Sequence, residues 1–551
     1  MAAPVPQLDV QMDDLRRLVE RTRQTPLTDE EYTTLKAAVE TLGYVANLLE
    51  QKGTTIANLR QLLFGATTEK TRDVLAHAGV VDATSTAEPR DDAPASDSDR
   101  QRHDRAPGHG RHPAAAYTGG HRIDVPHAHL HHGDRCPHCA KGKLYVQREP
   151  GLLIRFVGHA PIAAIVYALE KLRCNLCGDL FRADPPPGVG AEKYDATASA
   201  MIAVLKYGTG LPFHRLERLQ ANLQIPLPAS TQWEIVSDLA MRLQPVLHAV
   251  MQQAAQGEIL HNDDTSMTVL ELLGRAGPRG DPTADDVSPD RTGVFTSAVV
   301  STGEGRRIAL FLTGRRHAGE NLARVLAARA ADLGPPIQMC DALSRNLPKP
   351  LTVILGNCLA HARRHVVNVT PSFPTECRHI LECVRDVYRY DAEARAQHLS
   401  PMDRLAFHQA HSGPVMDALH AWLAAQLDEH LIEPNSGLGK AITYFLNHWT
   451  PLTLFLRQPG APLDNNIVER SLKRAILHRK NAYFYRTSNG AHVGDLFMSL
   501  IHTCELAGVN AFDYLTVLQR HLDVMRDTAT AWMPWNYQES VTMLEAGAAS
   551  A

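Results

Sequence analysis

Residues 257–265 read GEILHNDDT, a short apolar run that ends in two adjacent acids, Asp263 and Asp264. Its length and its polar flanks are those of a buried strand. Beyond a polar loop come GVFTSAVVS (293–301) and RRIALFLT (306–313), two more strand-like runs. GENLARVLAARAADL (319–333) then has helical spacing, and PIQMCDALS (336–344) is a further strand that ends in Asp341. Strand, strand, strand, helix, strand is the order of an RNase H-like domain. It predicts acids at the ends of the first and fourth strands. In that arrangement these strands are neighbours, so both carboxylates reach one pair of metal ions.

A third acid is expected from a later helix. APLDNNIVERSLKRAIL (461–477) provides one: Asp464 or Asn465 is placed to cap the helix, and Glu469 follows about one turn in. Lys473, four residues on, shares the face of Glu469. From Arg470 to Lys480 there are five Lys or Arg and no acid, so Lys473, Arg474, Arg479 and Lys480 are candidate DNA contacts. A carboxylate beside a basic strip suits a site that holds metal and a polyanion together. Magnesium, or manganese in its place, is a hard cation that prefers oxygen ligands. Two such ions about 4 Å apart activate an attacking water or 3′-hydroxyl and stabilise the leaving oxygen, so no nucleophilic side chain is needed. The 127 residues between Asp341 and Glu469 exceed what a bare core needs. Their helical runs predict an inserted helical domain at about 365–460, with Ser400-Pro401 as a helix start. Its approach carries a C-x-x-H pair, Cys358 and His361, read as packing near the active site.

Upstream, Cys136-Pro-His-Cys139 and Cys174-Asn-Leu-Cys177 flank strand-like runs. Two C-x-x-C knuckles each supply two sulfurs to one tetrahedral zinc, so Cys136, Cys139, Cys174 and Cys177 predict a structural zinc ribbon. The chain has nine cysteines, five of them scattered, which points to a reducing compartment and not to a disulfide framework. Residues 195–240 read as three helices, with Ser230 or Thr231 capping the last. They fit a helix-turn-helix or a plain bundle bracing the next domain. Leu35, Leu42, Leu49, Ile56 and Leu63 fall seven apart, as in a coiled coil, interrupted by Gly43 and Gly53. Thr28 and Glu31 are spaced as a capping box at the start of that helix. Residues 82–120 are rich in Asp, Ser, Pro, Gly and Ala, a composition that does not repay the entropy of ordering.

A net charge of −4 excludes a whole-chain basic field, so any DNA contact is local. No run of about 18 apolar residues predicts a membrane span, and the N-terminus lacks a secretory pattern. The expectation is a cytoplasmic protein, nucleoid-associated when bound to DNA.

Over nearly its whole length the chain resembles the insertion sequence 66 family of bacterial transposases. The matching stretches are RQLLFGATTEKT (60–71), CPHC with LRCNLCG, KYGTGLPFHRLERLQ (206–220), HNDDT, QMCDA, CLAHARR (358–364), DNNIVERSLKRAILHRKNAYF (464–484) and IHTCELAGVNAFDYL (501–515). The resemblance implies a DNA transposase with a DDE triad on Asp263, Asp341 and Glu469. The family commonly has Asp-Glu-Thr where this chain has Asp263-Asp264-Thr265. Registering that motif as Asp-x-Thr favours Asp263, and adjacent strand residues face opposite ways, so one of the two acids faces the metals.

The expected architecture is multidomain α+β. It comprises an N-terminal coiled-coil helical region (1–75), a disordered linker (82–125), a zinc ribbon (126–185) and a helix-turn-helix-like region (190–250). The RNase H-like core with its insertion follows (255–490), then a C-terminal helical segment (491–551). Expected partners are DNA, both transposon ends and target, a second copy through the N-terminal helices, and accessory proteins of the same element. The rivals are an inactive DNA-binding derivative of a transposase and a nuclease of this fold that does not join strands.

Overall fold

The structure is a computed structural model. It describes residues 129–139, 141–145, 160–173, 180–189, 192–273, 291–349 and 353–550, and towards the N-terminus 28, 29, 31–33, 35, 36, 71 and 74. The chain divides into two compact units. One takes in Met1–Asp82, Gly190–Leu216 and Pro228–Ala551, the other Ala83–Val189 and Glu217–Leu227.

In the smaller unit, β1 (Lys171–Arg173) pairs antiparallel with β2 (Leu180–Arg182). Cys136 sits in a tight turn whose backbone closes on itself: Cys136 N–H donates to Gly142 O at 2.8 Å, and Gly133 N–H to Leu144 O at 2.8 Å. The Gly142 and Lys141 backbone and the Cys136 side chain all hydrogen-bond the Cys139 thiol and hold it below the usual range. Cys174 and Cys177 lie outside the described residues, as do the linker and nearly all of the heptad region. The start of that region is described: Thr28 N–H donates to Glu31 Oε2 at 3.0 Å and Glu31 N–H to Thr28 Oγ1 at 3.4 Å, a reciprocal capping box.

The larger unit is built on a five-stranded sheet. Its strands are β3 (Ile259–Ser266), β4 (Phe295–Gly303), β5 (Arg306–Gly314), β6 (Ile337–Cys340) and β7 (Ile354–Asn357), in the order β5-β4-β3-β6-β7. β3, β4 and β5 form an antiparallel meander; β6 and β7 continue the sheet in parallel with β3. Ala298, Val299 and Val300 are consecutive and all fully buried, so both faces of β4 are covered. β7 was not read from the sequence, because its ILGN segment is too short to show a period.

The helices that place the site are α1 (Ala196–Ala203), α2 (Phe213–Asn222), α3 (Ala229–Ala255), α4 (Ala318–Leu326) and α5 (Leu359–Val369). Then come α6 (Pro374–Ala396), α7 (Pro401–Asp428), α8 (Gly437–Asn447), α9 (Asn466–Ala482) and α10 (Ser488–Leu506). α3 begins at Ala229 with Pro228 at the cap position and no side-chain cap, so neither Ser230 nor Thr231 caps it; both lie inside its first turn. Pro228 has its ring-fixed φ of −57° with an extended ψ of 146°, and so delivers the chain into the helix. Val236, Leu239, Leu243, Val246 and Val250 of α3 are buried, so this helix spends its apolar face on the core.

The exposed edge that β5 would present is closed by α10. Ala309 N–H donates to Thr503 Oγ1 (3.1 Å), Phe311 N–H to Ser499 Oγ (2.9 Å) and Thr313 N–H to Asp495 Oδ2 (2.6 Å). A strand offers outward N–H groups every second residue and a helix offers one face every fourth. Hydroxyls and a carboxylate at 495, 499 and 503 therefore meet them one to one. Between Asp341 and Glu469 the chain is helical over α6, α7 and α8. Ile380, Leu381, Val384, Met416, Leu419, Leu423, Ile442 and Phe445 share one buried cluster. Ser400 caps α7 by accepting from Asp403 N–H at 3.2 Å, with Pro401 at the first helical position.

Candidate active site

The first decision is made inside β3, where successive side chains alternate faces. His261 and Asp263 lie on one face, Asn262 and Asp264 on the other. On the second face, Asn262 Nδ2 donates to Asn346 O at 2.8 Å, and Gln338 Nε2 donates to Asn262 Oδ1 at 2.8 Å. Asp264 points the same way, its side chain 1% exposed, and is fully engaged: His317 Nδ1 lies 2.9 Å away, Ala318 N–H 3.3 Å and Arg345 Nη2 3.3 Å. It anchors the start of α4. Gly319 permits the close approach there, because a Cβ on it would meet Leu347 O at 2.4 Å.

On the first face, His261 Nδ1 is 3.0 Å from Asn465 Oδ1. Burial holds this imidazole down to about 4, so it is neutral near pH 7 and donates to the amide oxygen. Asp263, two residues on, lies on the same face, near enough to Asp341 and Glu469 to feel their charges. The parallel register pairs His261 with Met339, and Asp341 is likewise two residues beyond its partner position. Burial, and then the nearby charges of Asp341, Asp264 and Glu469, push the Asp263 carboxyl up to about 7, against a hydrogen bond from the Asp264 backbone. Asp341 is steadied from below, accepting from Leu343 N–H at 3.2 Å and from the Asn346 amide.

Glu469 arrives on the first turn of α9. Of the two expected caps, Asp464 accepts from Asn466 N–H at 3.1 Å, whereas Asn465 does not cap with its side chain. Asn465 turns inward: besides His261 it donates from Nδ2 to Asn262 O at 3.1 Å, and its backbone N–H donates to Cys358 Sγ at 3.2 Å. One buried amide thereby ties the start of α9 to β3 and to the start of α5. Sequence reading passed over this role because Asn before a helix ordinarily reads as a cap. The same is true of Asn346 and Arg345, which look like loop polars until the fold brings them under Asp341 and Asp264. Around Glu469 stand His361 Nδ1 at 3.4 Å and Arg364 Nη2 at 3.9 Å. Cys358 is fully buried, and burial pushes its thiol up to about 12.

The four basic candidates on α9 divide. Lys473 and Lys480 face solvent, together with Arg470, which was not singled out. Arg474 turns inward to Gly208 O (3.2 Å) and pairs with Glu505. Arg479 braces the end of β3 through Thr265 Oγ1 (3.2 Å) and Ser266 Oγ (2.8 Å).

A five-stranded mixed sheet among many helices fits a transposase domain. The chain belongs to the transposase IS66 family, whose model matches residues 193–493 and so spans all three acids. Among similar proteins, an uncharacterized protein of Sinorhizobium fredii, y4jD, is 28% identical over 384 residues, 67% of this chain and 71% of that one. A second from the same organism, y4hP, is 25% identical over 397 residues, 67% of each chain. Membership of a DDE transposase family implies an enzyme that acts on DNA with divalent metal. Among the described residues no helix is long and apolar enough to cross a membrane.

Proposed function

We propose that the chain is a DNA transposase that cleaves and joins the ends of an insertion sequence, with Asp263, Asp341 and Glu469 as the ligands of catalytic magnesium or manganese. The carrying observation is that Asp263 stands in β3, Asp341 just past its parallel neighbour β6, and Glu469 opens α9, close enough that, after burial, the charges of Asp341, Asp264 and Glu469 push the Asp263 carboxyl up. Carboxylates so placed repel one another until a divalent cation neutralises them, which is how a metal-loading site behaves without its metal. When bound, the metal pair supplies charge neutralisation and an activated water or 3′-hydroxyl. The chain's own part is positional. Asn465 and Asn346 hold the acids in place, and Asp264, on the far face, anchors α4. The strand order β5-β4-β3-β6-β7 supports an RNase H-like core with a helical insertion.

The backbone-closed turn at Cys136–Cys139 supports a zinc ribbon completed by Cys174 and Cys177. The N-terminal helices serve self-association. The ribbon and the 190–250 helices contact transposon ends, with accessory proteins of the element as further partners, in the cytoplasm and on the nucleoid. The test is a magnesium-dependent assay on end-containing DNA that resolves nicked from joined products. Joined product is expected. Nicks without joining would make the protein a nuclease, and end binding without either would make it an inactive derivative.

The division on α9 has its own consequence. Lys473→Ala is expected to weaken DNA binding across all sequences and flatten its log–log salt dependence by about one. Arg474→Ala, which breaks contacts to Gly208 and Glu505, is expected to lower thermal stability and leave that slope alone. Equal slopes for wild type and Lys473→Ala would reduce the strip to a solvated face.

A further inference from the structure

Glu469 also belongs to a second cluster. Cys358 Sγ, a ring nitrogen of His361 and a carboxylate oxygen of Glu469 all lie within 4.8 Å of one another. Cys358 precedes α5 and His361 is three residues on, so both project from the same first turn, and Glu469 closes the group from α9. His361 Nδ1 and Glu469 Oε1 are 3.4 Å apart, and each is a buried atom with no hydrogen-bond partner. Buried polar atoms of this kind are costly when nothing satisfies them, and a cation bound by both would satisfy the pair.

The donor set says which body. A thiolate, an imidazole and a carboxylate are the ligands of zinc-class ions, while magnesium takes oxygen. A tetrahedral zinc shell separates its ligand atoms by roughly 3.3–3.7 Å, close to the His361–Glu469 spacing. Asn465 N–H already donates to Cys358 Sγ, the kind of outer hydrogen bond that orients a ligand and steadies a thiolate. Three protein ligands leave a fourth position for water.

We propose that Cys358, His361 and Glu469 form a binding site for a zinc-class cation that shares Glu469 with the carboxylate site, and that its occupation withholds Glu469 from Asp263 and Asp341. The first half stands on the geometry alone; the second rests on the catalytic reading of Glu469. Metal entry displaces the thiol proton to solvent, with no change of oxidation state. The site therefore acts as an inhibitory input, sensitive to thiophilic metals and indifferent to magnesium.

The experiment uses the full-length, reduced protein already loaded with zinc at its ribbon, titrated with Co2+ as a spectroscopic stand-in. One further equivalent is expected to give a near-ultraviolet thiolate-to-cobalt band and tetrahedral visible bands. Cys358→Ser removes the thiolate band, and His361→Ala weakens the site by at least about tenfold. If Cys358→Ser does not fold, His361→Ala, whose side chain is partly exposed, decides the matter. Absence of the extra equivalent, or bands unchanged in both variants, overturns the site. Excess zinc is then added to the magnesium-dependent cleavage assay and is expected to inhibit wild type but not His361→Ala. Bands that depend on both residues, with cleavage untouched by zinc, uphold the site and overturn the withholding of Glu469. Absence of cleavage under any metal would sink the transposase reading and leave the cobalt result to judge the site by itself.

Discussion

Asp263→Asn is expected to abolish metal-dependent cleavage, by at least about 10³-fold, while making the metal-free protein more stable at pH 8. The two effects have one cause. The folded-state carboxyl sits near 7, above its ordinary range, so between about pH 4 and 7 the folded chain holds a proton that the unfolded chain has released. The stability this confers is complete below the ordinary carboxylate range. It is lost as pH rises through about 7, where the charge must be borne beside Asp341 and Glu469. Asparagine never ionises, so the variant escapes a loss of roughly 2–4 kcal/mol at pH 8. Magnesium should raise the melting temperature of wild type at pH 8 far more than at pH 6, and that of the variant hardly at all. Asp264→Asn is the control and should behave in the opposite way. It breaks the charged contacts to His317 and Arg345 and costs about 1–3 kcal/mol of stability, yet the protein that remains folded still cleaves. The check is a strand-transfer assay beside thermal unfolding with and without magnesium at both pH values. An active Asp263→Asn, or an inactive but fully stable Asp264→Asn, would mean that the roles of the two strand faces are reversed.

Asn465→Ala is expected to lower cleavage by about 10–100-fold at temperatures where the protein is still folded, and to raise the magnesium concentration that gives half-maximal rate. Its amide joins His261, the Asn262 carbonyl and, through the backbone, Cys358. Truncation leaves the first two buried without partners, at about 1–3 kcal/mol each. The metal requirement is the discriminating readout. A residue that only stabilised the fold would move the melting temperature and leave the magnesium dependence of the folded fraction unchanged. Lost stability with an unaltered magnesium curve would remove Asn465 from the positioning of Glu469.

Much of this was readable in one dimension, and for a definite reason. An apolar run ending in acids, twice, and a helix opening with Glu469 are local patterns, and local patterns survive in sequence. Ser400-Pro401 and Thr28 with Glu31 did so as well, since a cap is made by residues three apart. What was not readable is whatever depends on partners far along the chain. The short strand β7 has no period of its own and exists because β6 offers it an edge. Ser499 and Thr503 are unremarkable helix residues until β5 presents its N–H groups to them. Arg474 and Arg479 looked like phosphate contacts because they belong to a basic run; the fold supplies Glu505 and Ser266 to claim them.

The sequence alone carried the strand, strand, strand, helix, strand order, the candidate acids and, through its motifs, the resemblance to the family, because these rest on local runs of residues. Only the tertiary structure decided which of Asp263 and Asp264 faces the other acids. It did so through strand alternation combined with contacts drawn from over 50 and over 80 residues away: His317 and Arg345 hold one acid to the far face. The same folding brought Cys358 and His361 beside Glu469, more than 100 residues on. No local pattern encodes that meeting, since it follows from the way α5 and α9 converge at the end of β3.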